Sequence, residues 1–167
     1  MSRRRYREEE DEGIFDLYTV IRYVALSILF AVIIFGMRTI VQMATAASPT
    51  GQVGNGMLTL YEVHNTGAAF NLFQGQPEML IIASFLVIAV MAFIVIMMST
   101  KLTQTAISAM ALLTAGIAMN MSERVQYGYV IDYIDCNFLP SFPVFNTADI
   151  MIVCGAIGLI MAILTRR

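Results

Sequence analysis

Charge is what this sequence has least of. Asp, Glu, Lys and Arg make up 13 % of its 167 residues, where about 25 % is usual for a soluble domain. With a net charge of −2 there is no electrostatic footprint for a phosphate backbone, so nucleic acid is excluded as a partner. One histidine and two cysteines are too few and too scattered for a zinc site, and no metal or organic cofactor is expected. Cys136 falls in a loop and Cys154 inside an apolar run, a placement that argues against a disulfide. No local motif joins His64 to a serine nucleophile, and His64 reads as an interfacial hydrogen-bonding residue. What remains is apolar residue, 58 % of the chain, more than one soluble domain of this length could hide from water. The same figures exclude a disordered chain and a disulfide-stapled mini-protein.

The apolar residues fall into four runs long enough to cross a bilayer. Residues 79–98 carry no charge and close at Lys101. Residues 102–121 are also uncharged but include Thr103, Gln104, Thr105, Ser108 and Thr114, so this span is expected to face protein rather than lipid. The last, 150–165, ends at Arg166-Arg167 and is expected to begin near Asn146. The first lies between Arg22 and Arg38 with apolar residues beyond both. Ala44-Thr45-Ala46 before Ala47 has the form of a processing site, but the acidic run over 8–12 is unlike a basic signal-peptide lead, and the segment reads as a retained span. Most of the 13 methionines fall in these runs, where packing and lipid contact account for them.

Lysine and arginine set the orientation. With the N-terminus inside, Arg3, Arg4, Arg5, Arg7, Arg22, Lys101, Arg166 and Arg167 lie on the cytoplasmic side and only Arg38 and Arg124 outside. Both termini are therefore expected in the cytoplasm, with residues 1–16 as a mixed-charge tail and 17–167 as one four-span domain. The outer loops then cover about 44–78 and 122–145. Residues 58–63 alternate as a strand does, and 127–134 are rich in aromatic and β-branched residues. A small outer β-sheet follows. The expected fold is thus an α-helical integral membrane protein with four transmembrane helices and a small extracytoplasmic β-cradle, and membrane lipids are its first partners.

Polar residues gather on the outer side: Asn120, Glu123, Arg124, Asp132, Asp135, Asn146 and Asp149, with Glu62, His64 and Asn65 nearby. At a bilayer boundary such groups are functional candidates. On the strand reading Asp132 shares a face with Val130 and Ile134, and a carboxylate on an apolar face has a raised pKa. Asp149 stands where the fourth span begins. Two carboxylates that meet share a proton, one acting as base on water and the other as acid toward a peptide carbonyl. Other readings stand beside this one. Asn146 and Asp149 also look like a helix N-cap and first-turn acid, and Asp132 could be a solvated residue paired with Arg124.

Four short segments resemble the lipoprotein signal peptidase (signal peptidase II) family. Asn65-Thr66-Gly67-Ala68-Ala69-Phe70 is similar to its Asn-x-Gly-Ala-Ala-Phe segment, and Asn120-Met121-Ser122-Glu123-Arg124 to its Gly-Asn-x-x-Asp-Arg box. Gly128-Tyr129-Val130-Ile131-Asp132-Tyr133 resembles Gly-x-Val-Val-Asp-Phe, and Phe145-Asn146-Thr147-Ala148-Asp149 resembles Phe-Asn-x-Ala-Asp. The resemblance implies an aspartic endopeptidase of the bacterial cytoplasmic membrane, with its site at the extracytoplasmic face. Its substrates would be diacylglyceryl-modified prolipoproteins, cut before the lipidated cysteine. It implies Asp132 and Asp149 as catalytic dyad, with Asn65, Gly67, Asn120, Glu123, Arg124 and Asn146 binding substrate or supporting the site. A packing role for the Gly-Ala-Ala stretch is the plain alternative. Glu123 stands where the family has Asp, Met119 where it has Gly, and Arg38 or Thr39 where it has a first-span Lys. These departures motivate an alternative, a catalytically weakened relative that binds lipidated peptides or acts as a scaffold.

Overall fold

A computed structural model describes residues 16–54, 56–68, 72–139 and 141–165. The tail expected over 1–16 therefore lies outside the described residues except for Asp16, as do Ala69, Phe70, Pro140, Arg166 and Arg167. The elements run α1 (Leu17–Ala47), β1 (Val53–Gly54), β2 (Leu58–Asn65), α2 (Pro77–Met97), α3 (Gln104–Tyr127), β3 (Val130–Cys136) and α4 (Thr147–Leu164). All four helices among the described residues are long and apolar enough to cross a membrane.

The helix starts follow local chemistry. Asp16 caps α1 through the Tyr18 N–H, Thr103 caps α3 through the Ala106 N–H, and Pro77 opens α2. Their ends are less legible. With 31 residues, α1 is about 46 Å long at ~1.5 Å per residue, against a hydrocarbon core of about 30 Å. The surplus turns support the sheet, where Val41 packs with Ile131 and Tyr133. The sequence around Ala44–Ala47 is the last turn of this helix. Helix α3 runs on to Tyr127, so the second loop starts at Gly128 rather than at Ser122. Nothing in Ser122-Glu123-Arg124 breaks a helix, whereas Gly128 adopts φ 79° and its N–H caps the Arg124 carbonyl. That extension puts Asn120, Glu123 and Arg124 on one helix face at i, i+3 and i+4.

The sheet is antiparallel in the order β1-β2-β3, with Val63 opposite Asp132, Asn65 opposite Val130 and an irregularity between Leu60 and Val63. β3 starts at Val130, three residues later than the aromatic pattern predicts, because Tyr127 still belongs to α3 and Gly128 makes the turn. Val130 to Tyr133 are all buried, so both faces of this strand are covered and no polar-out alternation survives. Phe145 pairs with Ile134 through two backbone hydrogen bonds of 2.8 and 3.1 Å. That bridge brings the next residue, Asn146, alongside β3.

Helix α3 is the hub, packed against α4, α1 and α2. Apolar clusters climb along it: Tyr23, Met91, Val95, Ile107, Met110 and Ala111 first, then Ile34, Ala115 and Ala148 nearer the sheet. The contact with α4 is backbone-close. A Cβ on Gly116 would lie 2.6 Å from the Ala148 carbonyl oxygen, and one on Gly155 would lie 2.8 Å from that of Ala109. Small residues allow this approach, as between helices in lipid. The polar residues of the third span divide. Thr114 is buried and shares a hydrogen bond of 2.6 Å with the Tyr23 hydroxyl, as expected of a protein-facing span. Thr103, Gln104 and Thr105 are exposed, against that expectation.

Candidate active site

The expected residues converge at the sheet end of the bundle. Asp132 is 3 % exposed, and each of its oxygens accepts a side-chain amide hydrogen bond. Oδ2 takes one from Asn65 Nδ2 at 2.9 Å, and Oδ1 takes one from Asn146 Nδ2 at 2.9 Å. Asp149, half-buried in the first turn of α4, is held likewise: Oδ1 by Asn120 Nδ2 at 2.8 Å and Oδ2 by the Asn146 backbone N–H at 3.0 Å. The Asn146 side chain returns the cap by accepting from the Asp149 N–H at 2.9 Å, and its amide also donates to Asn120 Oδ1 at 3.1 Å. A capping box is present. It is also what binds Asp149 to the partner of Asp132, so the cap brings both carboxylates to one residue.

Further supports are arranged around the carboxylates. Asn65 Oδ1 accepts from the Gly67 N–H at 2.9 Å, and the Gly67 carbonyl accepts from Arg124 Nη2 at 2.8 Å. Arg124 Nη1 also reaches the Asn120 carbonyl at 3.5 Å. Gly67 itself is buried. Arg124 thus holds a carbonyl of its own chain, and the Arg124 pairing considered for Asp132 gives way to two asparagines. Glu123 does not form an ion pair with its neighbour Arg124 either, whose guanidinium is turned to the Gly67 and Asn120 carbonyls. Instead its Oε1 meets Arg38 Nη1 at 2.9 Å, and its Oε2 accepts from the Ile131 N–H at 2.7 Å.

Burial is the chief cause that pushes the Asp132 carboxyl up to about 6, with the Asp149 charge and more weakly Glu123 in the same direction. The Asn65 and Asn146 amides pull the other way. Such a group takes up a proton near neutrality beside a second carboxylate, the condition for one acid and one base in the same pair.

Other polar residues of the outer side stay apart. Asp135 accepts from the Tyr61 hydroxyl at 3.1 Å, and Glu62 is exposed. His64 stacks on Tyr129 with ring centroids 4.0 Å apart, a packing role in place of the expected hydrogen bond. Two supports carry no sequence signal of their own. Arg38 is one, legible only as a stand-in for a family lysine. The other is the Tyr133 hydroxyl, which shares a hydrogen bond of 2.5 Å with Thr147 and accepts from the Thr147 N–H at 3.2 Å, clamping the start of α4 to β3. Cys136 and Cys154 are both free.

A profile of the family described as Signal peptidase (SPase) II matches residues 26–165. The chain belongs to the signal peptidase II family. A lipoprotein signal peptidase of Dehalococcoides mccartyi is 39 % identical over 121 residues, covering 71 % of this chain and 74 % of the relative. One of Lactiplantibacillus plantarum is 27 % identical over 143 residues, covering 85 % and 93 %. A solved bacterial membrane enzyme superposes with a TM-score of 0.70 at 25 % identity, over 85 % of this chain and 87 % of that one. This family member is therefore a multi-pass bacterial membrane peptidase of the aspartic type, and the helical bundle with its three-stranded sheet is the shared fold. The departures from the family motifs are accommodated locally. Glu123 uses its extra length to reach Arg38 and Ile131 together, and Met119 packs beside Ile34, Ala115 and Ala148. The weakened-relative alternative loses its motive.

Proposed function

We propose that this chain removes the signal peptide from diacylglyceryl-modified prolipoproteins, cutting before the lipidated cysteine, with Asp132 and Asp149 as its catalytic dyad. The observation that carries this reading is Asn146, whose side chain donates to Asp132 while its backbone N–H donates to Asp149. Two carboxylates fixed to one residue at the boundary of a four-helix bundle fit acid–base work on a single water.

In the proposed cycle the pair holds one proton and a water. The ionised carboxylate takes a proton from the water as its oxygen attacks the scissile carbonyl carbon. The protonated carboxyl gives its proton to the carbonyl oxygen, forming a neutral tetrahedral diol. Collapse of the diol breaks the C–N bond: the carboxyl that took the water's proton gives it to the leaving amine of the lipidated cysteine, and the other carboxylate takes a proton from a diol hydroxyl as the C=O re-forms, which restores the shared proton. The acyl chains lie in the bilayer, which fixes the substrate's depth and orientation and lowers the entropic part of the barrier. Asn65, Asn120 and Asn146 keep the carboxylates in place, and Arg124 holds the Gly67 carbonyl and so the segment bearing Asn65. The positive-inside pattern supports a reading in which this end lies at the outer face of the cytoplasmic membrane and both termini in the cytoplasm.

Incubation of the detergent-purified protein with a diacylglyceryl-modified prolipoprotein peptide tests the reading. Cleavage before the modified cysteine, absent with the unlipidated peptide, is expected. Asp132→Asn and Asp149→Asn should each lower turnover by ~10²–10⁴ or more while the protein stays folded. Full activity in either variant removes that residue from the dyad.

A further inference from the structure

We propose that a second site, at the end of the bundle away from the carboxylates, binds one anionic glycerophospholipid from the membrane leaflet facing that end. An open groove of about 410 Å³ lies between α1, α3 and α4, lined by Arg22, Gln104, Thr105, Ser108, Cys154 and Gly158 among others. Asp16 bonding to Ser99 at 2.8 Å joins the start of α1 to the end of α2, which fixes this as the end remote from the sheet. The proposal stands apart from the peptidase reading.

The lining is graded along the membrane normal. Gln104 is the first residue of α3 and Leu112, deeper in the groove, lies about 12 Å further along the axis at ~1.5 Å per residue. The shallow part offers a guanidinium, an amide and two hydroxyls from Arg22, Gln104, Thr105 and Ser108. The deep part offers Ala109, Leu112 and Gly158. A phosphodiester with acyl chains has this same polarity over this same length. Arg22 makes no ion pair with any described residue, so among these its charge has no counter-ion. An unpaired charge and exposed amide and hydroxyl groups are costly at the hydrocarbon boundary, and an anionic headgroup satisfies all of them together. A basic pocket between membrane helices is the form such lipid sites take. The charge also argues against the start of a signal peptide as occupant, because that region is itself basic.

The ligand chemistry is a phosphate group, which a lipid headgroup or free phosphate could supply, and the two are separable. The full-length protein, stripped of lipid in detergent, is titrated with phosphatidylglycerol, phosphatidylcholine and inorganic phosphate, and bound species are counted by native mass spectrometry. Phosphatidylglycerol is expected to bind at one per chain, about tenfold more tightly than phosphatidylcholine, whose choline cation offsets the phosphate charge facing Arg22. Arg22→Gln should bring the two lipids within about twofold, and Arg22→Lys should keep the preference, showing that charge rather than folding is responsible. Equal binding of the two lipids to the unmodified protein, or a preference that survives Arg22→Gln, overturns the proposal. Arg22-dependent binding of inorganic phosphate as tight as that of the lipid overturns the acyl-chain half of it.

Discussion

Glu123 and Arg38 meet in a salt bridge of 2.9 Å with their side chains only 8 % and 11 % exposed. The other carboxylate oxygen of Glu123 holds the N–H of Ile131, next to Asp132 in the strand. One side chain therefore ties the first helix, the third helix and the strand bearing a candidate catalytic carboxylate. Removing one partner of a buried pair leaves the other charge uncompensated, which costs about 3–5 kcal/mol. Glu123→Ala should destabilise the protein by that amount, read as a lowered unfolding temperature in detergent. Glu123→Asp is one methylene shorter and should lose one of the two contacts, with an intermediate loss.

Asn146 combines two jobs that substitution can separate. Asn146→Asp keeps the helix cap, since a carboxylate oxygen still accepts from the Asp149 N–H, but has no amide to donate to Asp132. Its unfolding temperature should stay closest to that of the parent at acidic pH, where the added carboxyl is protonated, and fall as pH rises and three buried carboxylates meet, while turnover falls by ~10² or more. Asn146→Ala should lose activity and, in addition, about 1 kcal/mol of stability from the missing cap. Parallel thermal melts and cleavage assays distinguish the two.

The raised Asp132 carboxyl gives stability a defined pH dependence. Its value in the fold is about 6 against an ordinary 3.8, so between these values the folded state binds more protons than the unfolded one. Stability from this group is complete below pH ~3.8, falls as pH rises to ~6, and is lost above. At 1.36 kcal/mol per unit, the difference is on the order of 2–3 kcal/mol. Denaturant titrations across this window should show a negative slope that flattens in Asp132→Asn. Catalysis should likewise fall on the alkaline side with a one-proton limb, because the pair then loses its shared proton.

Helix spacing supports the site from below. A Cβ on Gly116 would lie 2.6 Å from the Ala148 carbonyl oxygen and 2.7 Å from Ile152 Cγ1, and Ala148 immediately precedes Asp149. Gly116→Ala should push α4 outward, lengthen the Asn120–Asp149 contact, and lower both stability, by about 1–3 kcal/mol, and turnover. Gly36, with nothing within 4 Å of an added Cβ, is the control: Gly36→Ala should preserve activity and raise helix stability by up to ~1 kcal/mol. Melting curves and cleavage rates for the two variants check this.

The sequence by itself determined the number of spans, because uncharged runs of twenty residues have few other fates. It also determined the small sheet and the family, through Asn65, the Asn120–Arg124 box, Asp132 and Asp149. The start of the last helix was legible too, since Asn146 caps through its near neighbour Asp149. The end of α3 was not, because polarity at Ser122-Glu123-Arg124 suggests a loop although only Gly128 stops the helix. Only the tertiary structure decided who partners whom. Arg38 finds Glu123, Asn65 displaces Arg124 as the partner of Asp132, and one asparagine joins both carboxylates. Those pairings depend on where helix ends and strand edges fall in space, set by the Gly116 and Gly155 contacts and the Phe145–Ile134 bridge. A short-range pattern specifies the conformation of a segment, while the partner of a side chain is set by packing between segments distant in the chain.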